Sequence, residues 1–405
     1  MKKFNKFLSV AVASAMVMAM AGCGNTDNGS AATGTNAATE SAAASDSAAS
    51  GNVFKIGGIG PTTGGAAVYG LAVQHGAEIA VEEINAAGGI NGYQVEFKFQ
   101  DDEADAEKSV NAYNALKDWG AQIIDGSTTS GACIAVTDKT KEDNMFQITP
   151  SGSAVECVQY DNNFRVCFSD PNQGLASAQY IGENGLAEKI AVIYDSSDVY
   201  SSGIYEKFAK EAENQPFEIV AAEAFTADNK TDFSVQLQKA KDAGADMVFL
   251  PIYYQESALI LTQAAAMGYA PKWFSCDGMD GILGGVDNFD VSLTEGVMLL
   301  TPFAADATDD LTQSFVTKYK EKYGETPNQF AADSYDAIYV IKAAIEKSGV
   351  TPDMSVSDIC DGMKAAMTEI TVDGLTGSGM TWTADGEANK APKAVVIENG
   401  AYKAM

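Results

Sequence analysis

A chain of 405 residues with 26 basic and 55 acidic side chains carries a formal charge of −29. Such a surface repels nucleic-acid phosphates and anionic lipid head groups, which argues against DNA or RNA as a partner. The single histidine, His75, and the single arginine, Arg165, deprive an enzyme of its commonest acid–base tool and phosphate recognition of an arginine cluster. Hydrophobic residues at 46% and charged residues at 20% are ordinary for a globular protein, and the length favours two domains.

In chain order, residues 1–22 read as an export signal. Lys2, Lys3 and Lys6 form a basic start, and Phe7 to Met20 is an apolar run shorter than the about 20 residues a membrane span needs. The run ends in Met20-Ala21-Gly22-Cys23, which resembles the bacterial lipobox, with cleavage before Cys23 and lipidation of its thiol. An ordinary signal peptide that happens to contain a cysteine is the alternative. Cys23 opens the segment 23–52, whose residues 24–52 are nearly all Ala, Ser, Gly, Thr and Asn without hydrophobic period, the composition of a flexible tether. A lipid on Cys23 would hold the acidic body at a membrane that otherwise repels it.

From Val53 onward, short apolar runs alternate with amphipathic stretches. The runs 53–59, 93–99, 121–125, 145–149, 189–194, 217–221, 246–250, 272–276 and 296–301 predict strands. The stretches 66–87, 105–118, 131–143, 175–184, 203–214, 231–243, 256–268 and 328–347 predict helices. In the first of them Val73, Ala77, Ala80 and Ile84 share one face, and Glu78 and Glu82 lie away from it. Strand–helix alternation predicts an α/β fold of parallel sheets with helices on both faces, and the number of strands predicts two lobes. In such sheets ligands sit beyond the carboxyl ends of strands.

Several strand ends carry polar residues. Gly58-Ile59-Gly60-Pro61-Thr62-Thr63-Gly64 has the wrong spacing for a dinucleotide fingerprint, Pro61 removes an amide, and no lysine follows for a phosphate loop. Ser127-Thr128-Thr129-Ser130-Gly131 opens a helix, where hydroxyls cap amides or, with those amides, hold an anion. Ser151-Gly152-Ser153 repeats the pattern after the next strand. Asp277 follows 272–276, where it starts a turn or receives an ammonium group. Tyr69, Tyr200 and Tyr253 lie near strand ends or helix starts, as partial core or as walls of a small cavity. Five cysteines remain beyond the signal, an odd number without a C-x-x-C pair, so no metal cluster is expected. Cys157 and Cys167, flanking 158–166, are candidates for a disulfide; two unpaired buried thiols are the other reading.

Gly60-Pro61-Thr62-Thr63-Gly64, Tyr69-Gly70 and Ile84-Asn85-Ala86-Ala87-Gly88-Gly89-Ile90-Asn91-Gly92 resemble the start of the leucine/isoleucine/valine-binding protein family, the receptors of branched-chain amino acid ABC transporters. The likeness continues in Ile148-Thr149-Pro150, Phe164-Arg165 and Tyr335-Asp336-Ala337 and covers the chain from Val53. The resemblance implies a type I periplasmic-binding-protein fold, two doubly wound parallel-sheet lobes joined by three hinge crossings. With those crossings, 53–170 plus 300–378 form the first lobe and 171–299 plus 379–405 the second. It implies that Ser130, Ser151 and Ser153 meet a ligand carboxylate, Asp277 its ammonium group, and Tyr69, Tyr200 and Tyr253 its side chain. Serine at 153 stands where the family has threonine, aspartate at 277 where it has glutamate, and Thr129 where the best-known members have a disulfide cysteine. The function implied is that of an exported, lipid-anchored, monomeric binding protein on the outer face of the cytoplasmic membrane. It would capture a branched-chain or similar amino acid and hand it to an ABC permease, with no catalytic role, cofactor or metal. The alternatives are the same fold holding another small ligand (an amide, urea or an aromatic amino acid) or serving as a ligand-sensing receptor.

Overall fold

β1 (Phe54–Gly60) is buried along nearly its whole length, as a parallel strand must be when helices cover both faces of its sheet. The computed structural model describes residues 52–405; the export signal, Cys23 and the tether up to residue 51 lie outside the described residues. The first sheet joins β1 to β2 (Val95–Asp101), β3 (Ile123–Asp125), β4 (Phe146–Thr149) and β5 (Asn163–Arg165), all parallel, in the order β2-β1-β3-β4-β5. Helices α1 (Ala67–Ala86), α2 (Ala106–Trp119) and α3 (Ser130–Glu142) connect its strands.

After α4 (Asp170–Glu183) the pattern repeats. β6 (Lys189–Asp195), β7 (Glu218–Phe225), β8 (Met247–Leu250), β9 (Lys272–Ser275) and β10 (Met298–Thr301) lie in the order β10-β9-β8-β6-β7, with α5 (Val199–Ala212), α6 (Ser234–Asp242) and α7 (Tyr254–Ala266) among them. Both sheets thus have the same doubly wound order, whose direction of winding reverses between the first and third strands of each. The crevice at that reversal is where such folds place ligands. It falls between the ends of β1 and β3 in one lobe and of β6 and β8 in the other.

The chain then returns to the first lobe through α8 (Asp310–Tyr323), α9 (Gln329–Ser348) and α10 (Val356–Met367), with α9 packed along α1 and α10. It ends on the second sheet as β11 (Lys393–Glu398) and β12 (Ala401–Ala404), an antiparallel hairpin added beside β10. The backbone therefore passes between the sheets three times. A buried ion pair ties the first and third passages to α9: Lys390, on the third, lies 2.5 Å from Asp333 Oδ1 of α9 and donates to the Val166 carbonyl, on the first, at 3.0 Å.

The nine expected strands and eight expected helices are present with shifted ends. α4 and α5 begin earlier than the apolar period indicates, because Pro171 suits a first helical turn and Asp198 caps α5 by accepting from the Tyr200 N–H. The disulfide reading of Cys157 and Cys167 is corrected: both are free, buried thiols. The extended segment β5 separates them, and Cys157 packs instead with Cys133 and Ala154 beside α3. Among the described residues no helix is long and apolar enough to cross a membrane.

Candidate functional site

All seven residues singled out from strand ends line one cavity of about 240 Å³, together with Thr128, Thr129, Gly278 and Phe330.

The first lobe contributes hydroxyls and amides. β3 delivers the chain to Ser130 at the first position of α3, whose opening amides have no helical acceptors. Thr129, the residue before the helix, makes no side-chain cap. Ser130 Oγ accepts from the Ser153 and Ala154 N–H groups, each at 3.1 Å, joining the ends of β3 and β4. Ser151 Oγ donates to the Thr128 carbonyl at 2.5 Å. The hydroxyls of Thr129 and Ser153 are buried and have no partner. A buried hydroxyl without a hydrogen bond is costly, and two of them beside a helix amino terminus are chemically suited to an anion.

Arg165 holds this corner from behind. It is fully buried, and its guanidinium donates to the carbonyls of Gly152, Ser153, Ala154 and Val155. Glu387, 3.4 Å from Nε on the third passage, supplies the balancing charge. The only arginine of the chain therefore shapes the loop that presents Ser151 and Ser153 and does not line the cavity.

The second lobe contributes acid and aromatic surface. Asp277 begins a short 3₁₀ turn after β9, and its Oδ1 accepts from the Tyr200 hydroxyl at 2.7 Å. The same hydroxyl accepts from the Gly278 N–H at 2.9 Å. A Cβ at 278 would lie 2.5 Å from that oxygen, so glycine there is what lets Tyr200 reach the acid. Burial pushes the Asp277 carboxyl up to about 7, against the hydrogen bonds from Tyr200 and Gln173 that favour its charged form. Tyr253 stacks on Tyr200 with centroids 5.1 Å apart, Tyr69 meets Tyr253 edge-on at 5.4 Å, and Phe330 lies 4.4 Å from Tyr69.

Two contributors were not singled out by sequence reasoning. Phe330, at the start of α9, lies more than 250 positions from its ring partner Tyr69, and nothing in its local period marks it. Asp170, at the start of α4, is 1% exposed and both of its carboxyl oxygens lack partners. It lines a groove beside the cavity with Ala154 and Gly203, and burial pushes its carboxyl well up, against the nearby Ser153 hydroxyl, which favours its charged form, and with Asp277, which does not. Its visible signal was an acid in Ser169-Asp170-Pro171, a helix-start pattern that by itself reads as a cap.

Two lobes of this winding with a polar cavity between them are the architecture of a small-solute receptor. The sequence matches the periplasmic binding protein family over residues 53–401, and the chain belongs to that family. It is thus a substrate-binding protein and not an enzyme. It is 31% identical over 300 residues to Leu/Ile/Val-binding protein homolog 3 of Brucella melitensis, covering 74% of this chain and 80% of that one. It is 30% identical over 305 residues to the leucine-, isoleucine-, valine-, threonine- and alanine-binding protein of Pseudomonas aeruginosa, covering 74% and 79%. The branched-chain amino acid transporter substrate-binding protein LivJ of Streptococcus pneumoniae, solved in complex with isoleucine, superposes with a TM-score of 0.78 at 29% identity, covering 87% of this chain and 98% of that one.

Proposed function

We propose that this chain captures a branched-chain or similar small amino acid between its two lobes and delivers it to the permease of an ABC transporter. The observation that carries this reading is the pairing within one small cavity of opposite receptors from opposite lobes. Thr129 Oγ1, Ser153 Oγ and the α3 amino terminus await an anion, and Asp277 awaits a cation. An amino acid bridges the two with its own carboxylate and ammonium groups. Ser130 and Ser151 hold the loops, and Tyr69, Tyr200, Tyr253 and Phe330 enclose the side chain. Shutting the empty cleft buries Asp277 without a counter-charge; the ligand supplies one, so the loaded form closes better.

The remaining parts of the reading follow from the sequence. Cleavage before Cys23 and its lipidation anchor a monomer to the outer face of the membrane through residues 24–52. The lobes divide near residue 170, between β10 and α8, and on the segment before β11; the expected boundary at 299/300 would cut β10 and moves past Thr301. A thermal-shift and calorimetric screen of the protein against the common amino acids, amides, urea, sugars and nucleotides tests the ligand class. A ligand that binds only the folded state raises the melting temperature. Leucine, isoleucine or valine should give the largest shift. A shift from another amino acid would keep the two-charge mechanism and change the specificity. A shift from sugars or nucleotides alone would refute both receptors.

A further inference from the structure

Several hydrogen bonds join the two lobes without any ligand. Gln329, the first residue of α9, belongs to the first lobe and is buried. Its Nε2 donates to the Asp277 carbonyl oxygen at 3.1 Å, and its backbone N–H donates to Asp280 Oδ2 at 2.9 Å. Both acceptors lie on the turn after β9 in the second lobe. Asn328 satisfies the Ala331 N–H with its side chain, and the Gln329 N–H, among the helix amides with no internal acceptor, reaches outward. A carboxylate at a helix amino terminus also sits at the favourable end of the helix dipole. On the other flank the Tyr69 hydroxyl of the first lobe donates to the Gly278 carbonyl and accepts the Tyr254 N–H at 3.2 Å. The turn 277–280 is therefore gripped from the first lobe at Asp277 O, Gly278 O and Asp280 Oδ2, while the Asp277 carboxyl stays in the cavity.

We propose that Gln329 and Asp280 form a ligand-independent latch, with Gln329 as a positioning residue. It draws the turn that carries Asp277 onto the first lobe and populates the closed form before an amino acid arrives. The amino-acid part of this inference rests on the function proposed above; the latch itself does not. A ligand shifts closure only by its preference for the closed state, and the starting population is set by contacts common to the empty and loaded forms. If only a fraction of molecules is competent, the apparent dissociation constant rises as that fraction falls. The latch acts on that fraction without touching the ligand.

Small-angle scattering of the wild-type protein and of Gln329→Ala and Asp280→Asn, with and without saturating leucine, tests this. Without ligand, both variants should show a larger radius of gyration than wild type. With ligand, all three should converge on the compact value. The dissociation constant of Gln329→Ala should rise roughly two- to tenfold, the size expected of one net hydrogen bond. Asp280→Asn, which keeps an acceptor, should move in the same direction by less. Unliganded scattering identical across the three proteins would overturn the latch, even if the variants melt earlier, because a purely structural role lowers the melting temperature without opening the cleft. If wild type binds no amino acid, the functional reading fails, and the unliganded scattering still decides the latch.

Discussion

In the complex proposed above, the two corners of the cavity face opposite charges, and they are built on different principles. The first lobe meets an anion with neutral groups: hydroxyls, helix amides and a loop shaped by the out-of-sight Arg165. The second meets a cation with a buried acid held by a tyrosine hydroxyl. An unpartnered neutral dipole in the empty site costs less than a buried carboxylate without a counter-charge, which cannot stay ionised cheaply. The first corner is thus preformed, and the second is completed by the ligand. On that reading selectivity for a zwitterion is expected, because a molecule lacking the ammonium group would leave Asp277 uncompensated.

The sharpest way to break this contrast is Asp277→Ala. It should weaken amino-acid binding by about 3–5 kcal/mol, as removal of one partner of a buried charge pair does; unchanged calorimetric affinity would end the assignment of the ammonium site. Next comes Arg165→Met, which leaves the carbonyls of residues 152–155 and the Glu387 charge without their donor. It should lower the melting temperature markedly and cost binding as well, since the Ser151–Ser153 loop loses its support. Ser130→Ala should cost about 1–3 kcal/mol, because the Ser153 and Ala154 amides lose their acceptor.

The acid corner alone should respond to pH. With its carboxyl at about 7 in the empty site, Asp277 must release a proton before it can pair with an ammonium ion at lower pH. Affinity should fall by up to about tenfold per pH unit below about 7 and level off above it. Raised above the unfolded value of 3.8, the same group makes the unliganded protein lose stability as pH climbs through that window, since the folded state holds the extra proton. Asp170 and Asp333, also pushed up by burial, shift in the same sense, and Lys390 moderates Asp333. Asp277→Asn should flatten the binding profile; a steep profile surviving in that variant would move the titration to Asp170. The smallest effect is expected from Tyr200→Phe, about 0.5–1.5 kcal/mol, which removes the hydrogen bond to Asp277 and leaves the stack on Tyr253 in place.

Sequence by itself determined the alternation of strands and helices and therefore the strand ends, because local hydrophobic period and turn chemistry are written in neighbouring residues. It also placed the polar residues at those ends, which is why Ser130, Ser151, Ser153 and Asp277 were legible. Some local signals were present but unused. Asn399-Gly400, with both residues at positive φ, marks the β11–β12 hairpin, and Ser355 with Asp358 marks the start of α10. Other features belong to tertiary structure alone. Arg165 in Phe164-Arg165-Val166 gives no hint that it clamps four carbonyls, and Cys157 gives none that its neighbour is Cys133. Phe330 and Gln329 reach the cavity and the Asp277 turn from a helix that returns to the first lobe after β6–β10 of the second sheet are built. Those pairings depend on how distant segments pack against one another, and hydrophobic period says which face of an element is buried but not which element it will meet.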